Sequence, residues 1–392
     1  MWLLGLQLSF SYYYFPYLHY NVISTNMTIS EFFSLCNAHP WAYIALVINF
    51  GVVFVNGWTD GPNSIATAVT TRALRPKIAV IMCALLNVAG VIVIGALSIY
   101  ISKLAGGDVS QTIASLVNWG EASVDKILCG IACGLLAIIA VSLLCTYFGF
   151  PSSQSNCLIG GITGSGLALM ILGNNGSIGL TPWIKVLIGF GGSLILGFLL
   201  GYGITWLIQI IFKKATRGKS TRFFNIGQIV TSGLMSFFHG VQDGAKFIGI
   251  SILIGATLSV SNGGNQAEAI VALTGTWWIY LPVALFIGLG TMMGGYNIIK
   301  TMGNGMVKLQ KYQAFATDIA ASIALLLATT FGLPVSTGTV KSTAIMGGGA
   351  VKGFKRVKWP VAGQMVMWGA IVFPASAIVA MVLMFIFVWT CK

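Results

Sequence analysis

The chain has 392 residues, of which 56% are hydrophobic and only 7% charged. A soluble domain carries about a quarter charged residues, so this composition excludes an ordinary soluble fold and predicts a polytopic membrane protein. The net charge of +13 does not call for a nucleic-acid partner, because the basic residues sit in short loops between apolar runs, as cytoplasmic loops do.

Residues 1–40 read as an N-terminal extension and lead-in. Residues 1–26 carry no charge and are rich in aromatics, among them Tyr12, Tyr13, Tyr14 and Phe15. They lack the positive segment and cleavage site of a secretory signal. They read either as an interfacial segment or as sequence ahead of a start at Met27. Apolar runs of bilayer-crossing length, about 20 residues, are then predicted near 41–70, 79–102, 127–147, 150–172 and 184–212. A basic linker follows at 213–224. Further runs lie near 226–260, 275–298, 314–332, 333–350 and 359–390. The runs 41–70 and 226–260 exceed one crossing and are expected to be tilted or broken. The basic clusters are Arg72–Lys77, Lys213–Arg222, Lys300–Lys311 and Lys352–Lys358, and all are expected on the cytoplasmic side. The seven cysteines are scattered without histidine or acid at metal-ligand spacing, so neither a disulfide nor a metal cluster is expected.

The chain repeats itself. "FGFPSSQSNCLIGGITGSG" begins at Phe148 and "FGLPVSTGTVKSTAIMGGG" at Phe331, 183 positions on (331 − 148). "GWTDGPNSIATA" at Gly57 and "HGVQDGAKFIGI" at His239 bring Asp60 and Asp243 into register at the same offset (243 − 60). Two motif pairs at one offset identify two halves, 41–212 and 225–392. Five crossings per half, an odd number, would invert the second half relative to the first. That is a transporter architecture, with the substrate site near the midplane. The expected fold is therefore an all-α polytopic membrane protein of two inverted-topology repeats of about five crossings each, with broken helices and re-entrant hairpin-like segments.

Of only eight acids, Asp60, Asp243 and Asp318 fall inside apolar runs. A charge at membrane depth costs about 2.5 kcal/mol or more on insertion scales, and marks a functional candidate facing the protein interior. The bland alternative is a carboxylate that caps a helix or pairs with a neighbour, as Asp243 with Lys246 three residues on. Asn56, Thr59, Asn63, Ser64 and Gln242 surround these acids with the oxygens that sodium prefers. Gly57, Gly61, Pro62, Gly240 and Gly244 permit the helix to unwind there, or else ease helix packing. In the proline–hydroxyl segments, Pro151 leads Ser152, Ser153, Gln154, Ser155 and Asn156, while Pro334 leads Ser336, Thr337 and Thr339. Proline followed by Ser or Thr is a helix-start signature, and the free N–H groups of a helix start bind oxyanions. Two such starts facing each other would make a donor-rich cage; a pair of ordinary caps is the alternative. His239, Lys246, Asp318 and Lys341 are candidates for charge partners or coupling. Lys341 is also able to snorkel toward an interface. The glycines from Gly160 to Gly166 read as a packing face rather than a nucleotide loop. No Walker-type motif occurs, so coupling to an ion gradient is expected rather than ATP-driven transport.

These motifs resemble those of the inorganic phosphate transporter (PiT) family of cation-coupled symporters. That family carries a GxNDxAN-type motif and a PVSTTH-type hairpin motif in each half. Gly57, Asp60 and Asn63 match the first, with Thr59 in place of Asn. His239, Gly240, Asp243 and Lys246 match in the second half, with Gln242 in place of Asn. Pro334, Val335, Ser336 and Thr337 match the hairpin motif, while Asn156 and Thr339 stand where the family has His. "GGYNIIKTMG" at 294–303 is similar to a further family segment through Thr301 and Gly303. The resemblance spans about 41–390.

It implies a multi-pass homodimeric importer of the cell membrane that carries phosphate with sodium or protons and needs no cofactor. Ser152, Ser153, Gln154, Ser155, Ser336, Thr337 and Thr339 would hold phosphate. Asp60, Asn63, Thr59, Gln242 and Asp243 would bind sodium. The same fold carrying sulfate, another oxyanion or a metal–phosphate complex with proton coupling stays open, as does an anion channel lined by the Ser/Thr rows. An enzyme is not expected, since no nucleophile–base pair is visible.

Overall fold

The structure is a computed structural model and describes residues 27–105, 108–148, 153–214, 216–261, 263–295, 299 and 305–390. Residues 1–26, Ser152, and Thr301 and Gly303 of the 294–303 segment lie outside the described residues.

The elements run in the order the apolar runs predict. They are α1 (Ile29–Ala38), α2 (Trp41–Thr59), a 3-10 turn (Gly61–Asn63), α3 (Ala66–Thr70), α4 (Pro76–Ala105), α5 (Val109–Ala114), α6 (Val124–Phe148), α7 (Gln154–Ile171) and α8 (Leu180–Ile211). Then come α9 (Arg217–Val260), α10 (Gln266–Leu273), α11 (Trp277–Met292), α12 (Lys311–Thr330), α13 (Thr337–Ala350) and α14 (Trp359–Thr390). Two short strands, β1 (Val117–Asn118) and β2 (Ser177–Ile178), pair antiparallel and tie the end of α7 to the α5–α6 connection.

Among the described residues seven helices are long and apolar enough to cross a membrane, and an eighth span arises if α10 and α11, bent by 69°, count as one. The expectation of ten crossings is therefore corrected at two places. The predicted crossings 150–172 and 333–350 are α7 and α13, neither of which is among the seven. At 14 residues α13 is about 21 Å long, short of a hydrocarbon core of about 30 Å. Both helices are buried along most of their length. They are clad by other helices rather than by lipid, which is why their rows of Gly, Ser and Thr are tolerated.

Glycine makes that cladding possible. Gly160 and Gly164 of α7 lie directly on the backbone of α14 at Phe373 and Ala377, and Gly161 lies on Gly134 of α6. The Gly160–Gly166 run is thus a packing face. Gly347 and Gly348 do the same for α13 against α8 and α12.

The two long runs behave differently. Run 41–70 breaks after Thr59, as expected. The 226–260 run does not: α9 continues for 44 residues through Gly240 and Gly244. The expected unwinding at those glycines is absent because they serve close contact instead, Gly240 against the Asn87 backbone and Gly244 against Val91 of α4.

The basic loops gather at one end. Val69, Leu74, Leu309 and Val361 pack on a common cluster with Met306, Ala350 and Val357. Lys352 Nζ donates to Gln310 Oε1 at 2.7 Å. Phe212, beside Lys213, stacks on Phe223 and meets Phe224 at a tilt, and Phe224 reaches Tyr312 and Phe315. Acids sit elsewhere: His39 meets Asp125 at 3.0 Å, and Asp108 caps α5 through Gln111 N–H. Burial holds the Asp108 carboxyl above its ordinary range, against hydrogen bonds from Gln111 and Ser110 and the charge of Lys185.

Candidate substrate and cation site

The break in α2 starts from Pro62, which has no N–H to give to the carbonyl four residues back. The last regular bond here is Asp60 N–H to Asn56 O at 2.8 Å. Asn63 N–H then turns back to Asp60 O at 3.1 Å, and Ser64 Oγ donates to Gly61 O at 2.6 Å. The Asp60 carboxylate is left at a helix end, 7% exposed. Among the described residues it has no ion-pair partner.

Asp243 is fully buried in the unbroken α9. Its Oδ2 accepts from Asn56 Nδ2 at 3.1 Å and from Thr337 Oγ1 at 3.4 Å. His239 Nε2 lies 3.4 Å away, while His239 Nδ1 meets Asn87 Oδ1 at 3.1 Å. Asp243 Oδ1 accepts from Lys246 Nζ at 2.7 Å. Asn56 links the two acids, its carbonyl accepting from Asp60 N–H and its Nδ2 donating to Asp243 Oδ2.

Both proline–hydroxyl segments form capped helix starts. Ser153 caps α7 through Asn156 N–H, and Ser336 caps α13 through Thr339 N–H, each at 3.3 Å. Thr339 Oγ1 also donates to Ser336 Oγ at 3.0 Å. The two starts meet at one lysine: Lys246 Nζ donates to Ser155 Oγ at 2.6 Å and to Val335 O at 2.5 Å. The α7 start also touches the broken helix, through Gln154 Nε2 to Thr59 Oγ1 at 2.8 Å. The α13 start faces the break itself, since a Cβ on Gly338 would stand 3.3 Å from Asn63 Nδ2. The N–H groups of Thr337 and Gly338, in the first turn, have no intrahelical acceptor. Around this junction the buried Asn63 Oδ1, Gln154 Oε1 and His239 Nε2 have no hydrogen-bond partner among the described residues.

The structure thus brings together Thr59, Asp60, Asn63, Ser153, Gln154, Ser155, His239, Asp243, Lys246, Ser336, Thr337 and Thr339. Two predicted groups stand apart. Gln242 turns away from Asp243: its Nε2 donates to Leu333 O at 2.8 Å and its Oε1 accepts from Thr329 Oγ1 at 2.6 Å, which pins the loop before α13. Asp318 of α12 and Lys341 of α13 form their own fully buried ion pair. Thr67 of α3 donates to Asp318 Oδ1 at 2.8 Å. Lys341 therefore does not snorkel. Asn87 was not legible as part of the site: besides His239 it serves Thr291 Oγ1 at 2.9 Å. The signal available was a lone amide within the apolar run of α4. Thr67 and Thr329 carried no signal beyond a hydroxyl in an apolar run.

A broken helix, buried carboxylates and two helix starts meeting inside a multi-pass bundle are the working parts of a membrane transport protein. The chain belongs to the Phosphate transporter family, whose profile matches residues 56–380. It is 32% identical over 333 residues to a probable low-affinity inorganic phosphate transporter of Bacillus subtilis (strain 168), covering 85% of this chain and 93% of that protein. A protein of the same description from Rhizobium meliloti (strain 1021) is 31% identical over 336 residues, covering 83% of this chain and 90% of the relative. A solved structure described as the sodium-dependent phosphate transporter superposes with a TM-score of 0.66 over 89% of this chain and 99% of its own. At 21% sequence identity that likeness is one of fold.

Proposed function

We propose that this chain imports inorganic phosphate across the cell membrane by symport with a cation, sodium, and that its two halves are inverted-topology repeats. The observation that carries the reading is the junction of two capped helix starts, at Ser153 and Ser336, beside the carboxylates of Asp60 and Asp243. Ser153, Gln154, Ser155, Ser336, Thr337 and Thr339, with Ser152 of the same motif, offer hydroxyl, amide and N–H donors to an oxyanion. Asp60, Thr59 and Asn63 offer oxygens to sodium, and Asp243, paired with Lys246, adds its negative charge beside them. Gln242 serves by fixing the second helix start.

Charge supplies the coupling. With Asp60, Asp243 and Lys246 ionised the cluster carries one net negative charge, so a phosphate anion meets repulsion until a cation is bound. Opposite charges held together in a buried site then lower one another's cost. The 183-residue register of Asp60 with Asp243 and of Ser153 with Ser336 supports the repeat. The basic loops assembled at one end support a cytoplasmic assignment of that end. The homodimer implied by the family resemblance belongs to this proposal.

The test is uptake of radiolabelled phosphate into proteoliposomes holding the full chain, with and without an inward sodium gradient and with sulfate as competitor. Saturable, sodium-dependent phosphate uptake that sulfate leaves unaffected is expected. Sulfate uptake without phosphate uptake refutes the substrate. Non-saturating flux without sodium dependence identifies a channel.

A further inference from the structure

The repeat register places Asn63 of the first half opposite Lys246 of the second (246 − 63 is again 183). Each stands three residues after its carboxylate, Asp60 or Asp243. The two positions are chemically unlike: one is a neutral amide, the other a cation on a four-carbon stem. Their surroundings follow suit. Among the described residues, the buried Asn63 Oδ1 has no hydrogen-bond partner and the Asp60 carboxylate has no ion pair. Lys246 Nζ is about as fully satisfied as an ammonium can be. Its three N–H bonds match three acceptors on three elements: Asp243 Oδ1 of α9 at 2.7 Å, Ser155 Oγ of α7 at 2.6 Å, and Val335 O ahead of α13 at 2.5 Å.

A carboxylate, a hydroxyl and a backbone carbonyl outside regular helix are oxygen ligands of the kind from which transporters build sodium sites. Here they surround an ammonium that cannot leave. We propose that Lys246 is a tethered cation that fills the second of two repeat-related cation sites, leaving the Asp60 site alone for a soluble ion. The inference rests on the sodium coupling proposed above.

The alternative, a plain i,i+3 ion pair on one helix, needs only Asp243 as partner. It does not account for the ammonium reaching across to both helix starts. Nor does it account for the imbalance between the halves: with all three groups ionised, two carboxylates and one lysine leave one negative charge, which one monovalent cation cancels. Lys341 and Asp318 neutralise each other and do not enter this balance. Lys246 also fixes the spacing of the two helix starts permanently, a task that a soluble ion would perform only while bound.

The experiment counts sodium. Wild type and Lys246→Asn, which restores the residue type of position 63, are purified as full chains and compared in two measurements: equilibrium 22Na binding to the protein, and the 22Na to 32P uptake ratio in proteoliposomes. Removal of the ammonium exposes Asp243, Ser155 and Val335 O to solvent ions and adds an amide oxygen. The variant is expected to bind one more sodium than wild type, and its uptake ratio is expected to rise by one. Binding is read on purified protein, so the count stands even where the variant no longer transports, and Lys246→Gln carries the same comparison should Lys246→Asn not fold. An unchanged count in a folded variant overturns the assignment of Lys246. A wild type that neither binds 22Na nor needs it refutes sodium coupling itself, a failure distinct from the first.

Discussion

Replacing Lys341 by Met tests whether the second buried pair holds the α13 helix in place. Lys341 and Asp318 are both fully buried, on different helices, and Thr67 of α3 is the nearby hydroxyl that shares them, 2.8 Å from Asp318 Oδ1 and 3.3 Å from Lys341 Nζ. Without the ammonium, Asp318 keeps a buried negative charge whose compensation falls to hydroxyl donors. Breaking a buried pair on one side costs about 3–5 kcal/mol, because a charge is left uncompensated. Removing both charges is far milder, and Asp318→Asn leaves an amide oxygen for Thr67. Lys341→Met is therefore expected to lose about 3–5 kcal/mol, and Asp318→Asn/Lys341→Met less than about 2 kcal/mol. Denaturant titration of the detergent-solubilised protein, followed by tryptophan fluorescence, reads the difference. Phosphate uptake by the double variant tells whether the pair serves only to hold α13. If the double variant falls as far as the single one, the loss is one of packing and the charge argument is wrong.

Three further outcomes follow from local geometry. Ser336→Ala removes the α13 cap; it should cost about 0.5–2 kcal/mol of stability and raise the phosphate concentration needed for half-maximal uptake, whereas Ser336→Thr should retain most of both. Gly290 packs directly on the Phe54 backbone, so Gly290→Ala should push α11 from α2 at a cost of about 1–3 kcal/mol, read as a lower midpoint of thermal unfolding in detergent. At Asp108 burial raises the carboxyl above its ordinary value of 3.8, so the native state holds its proton longer than the unfolded chain does. Stability should then fall as pH rises from that value through the raised one. Asp108→Asn keeps the cap and should flatten this part of the pH profile, whereas Asp108→Ala should lose the cap at every pH.

Much of this architecture could be read from the chain, for identifiable reasons. Asp-Gly-Pro at 60–62 announces a broken helix because proline removes a donor whatever surrounds it. Helix starts at Ser153 and Ser336 were legible because capping is local chemistry. Gly240 and Gly244 misled because glycine serves both unwinding and close approach, and only the position of α4 decides between them. The crossing expected at 333–350 failed for a similar reason: an apolar run does not tell lipid from protein as its neighbour. Lys246 with Asp243 lies within one turn and was foreseeable. Lys341 with Asp318 joins two helices and required the fold. Gln242 was grouped with Asp243 by adjacency, yet consecutive residues on a helix point about 100° apart, and its amide serves a different wall of α9.

The unbroken α9 has a mechanical consequence. Asp243, His239 and Lys246 ride on a rod whose backbone hydrogen bonds run without interruption, whereas Asp60 sits where the bonding pattern changes from α to 3-10. Twisting the backbone at Asp60 sacrifices little that is not already lost; twisting it at Asp243 means opening a regular helix. The two carboxylates share a place in the 183-residue register but not in compliance. One is fixed to a rigid rod, the other stands at a joint.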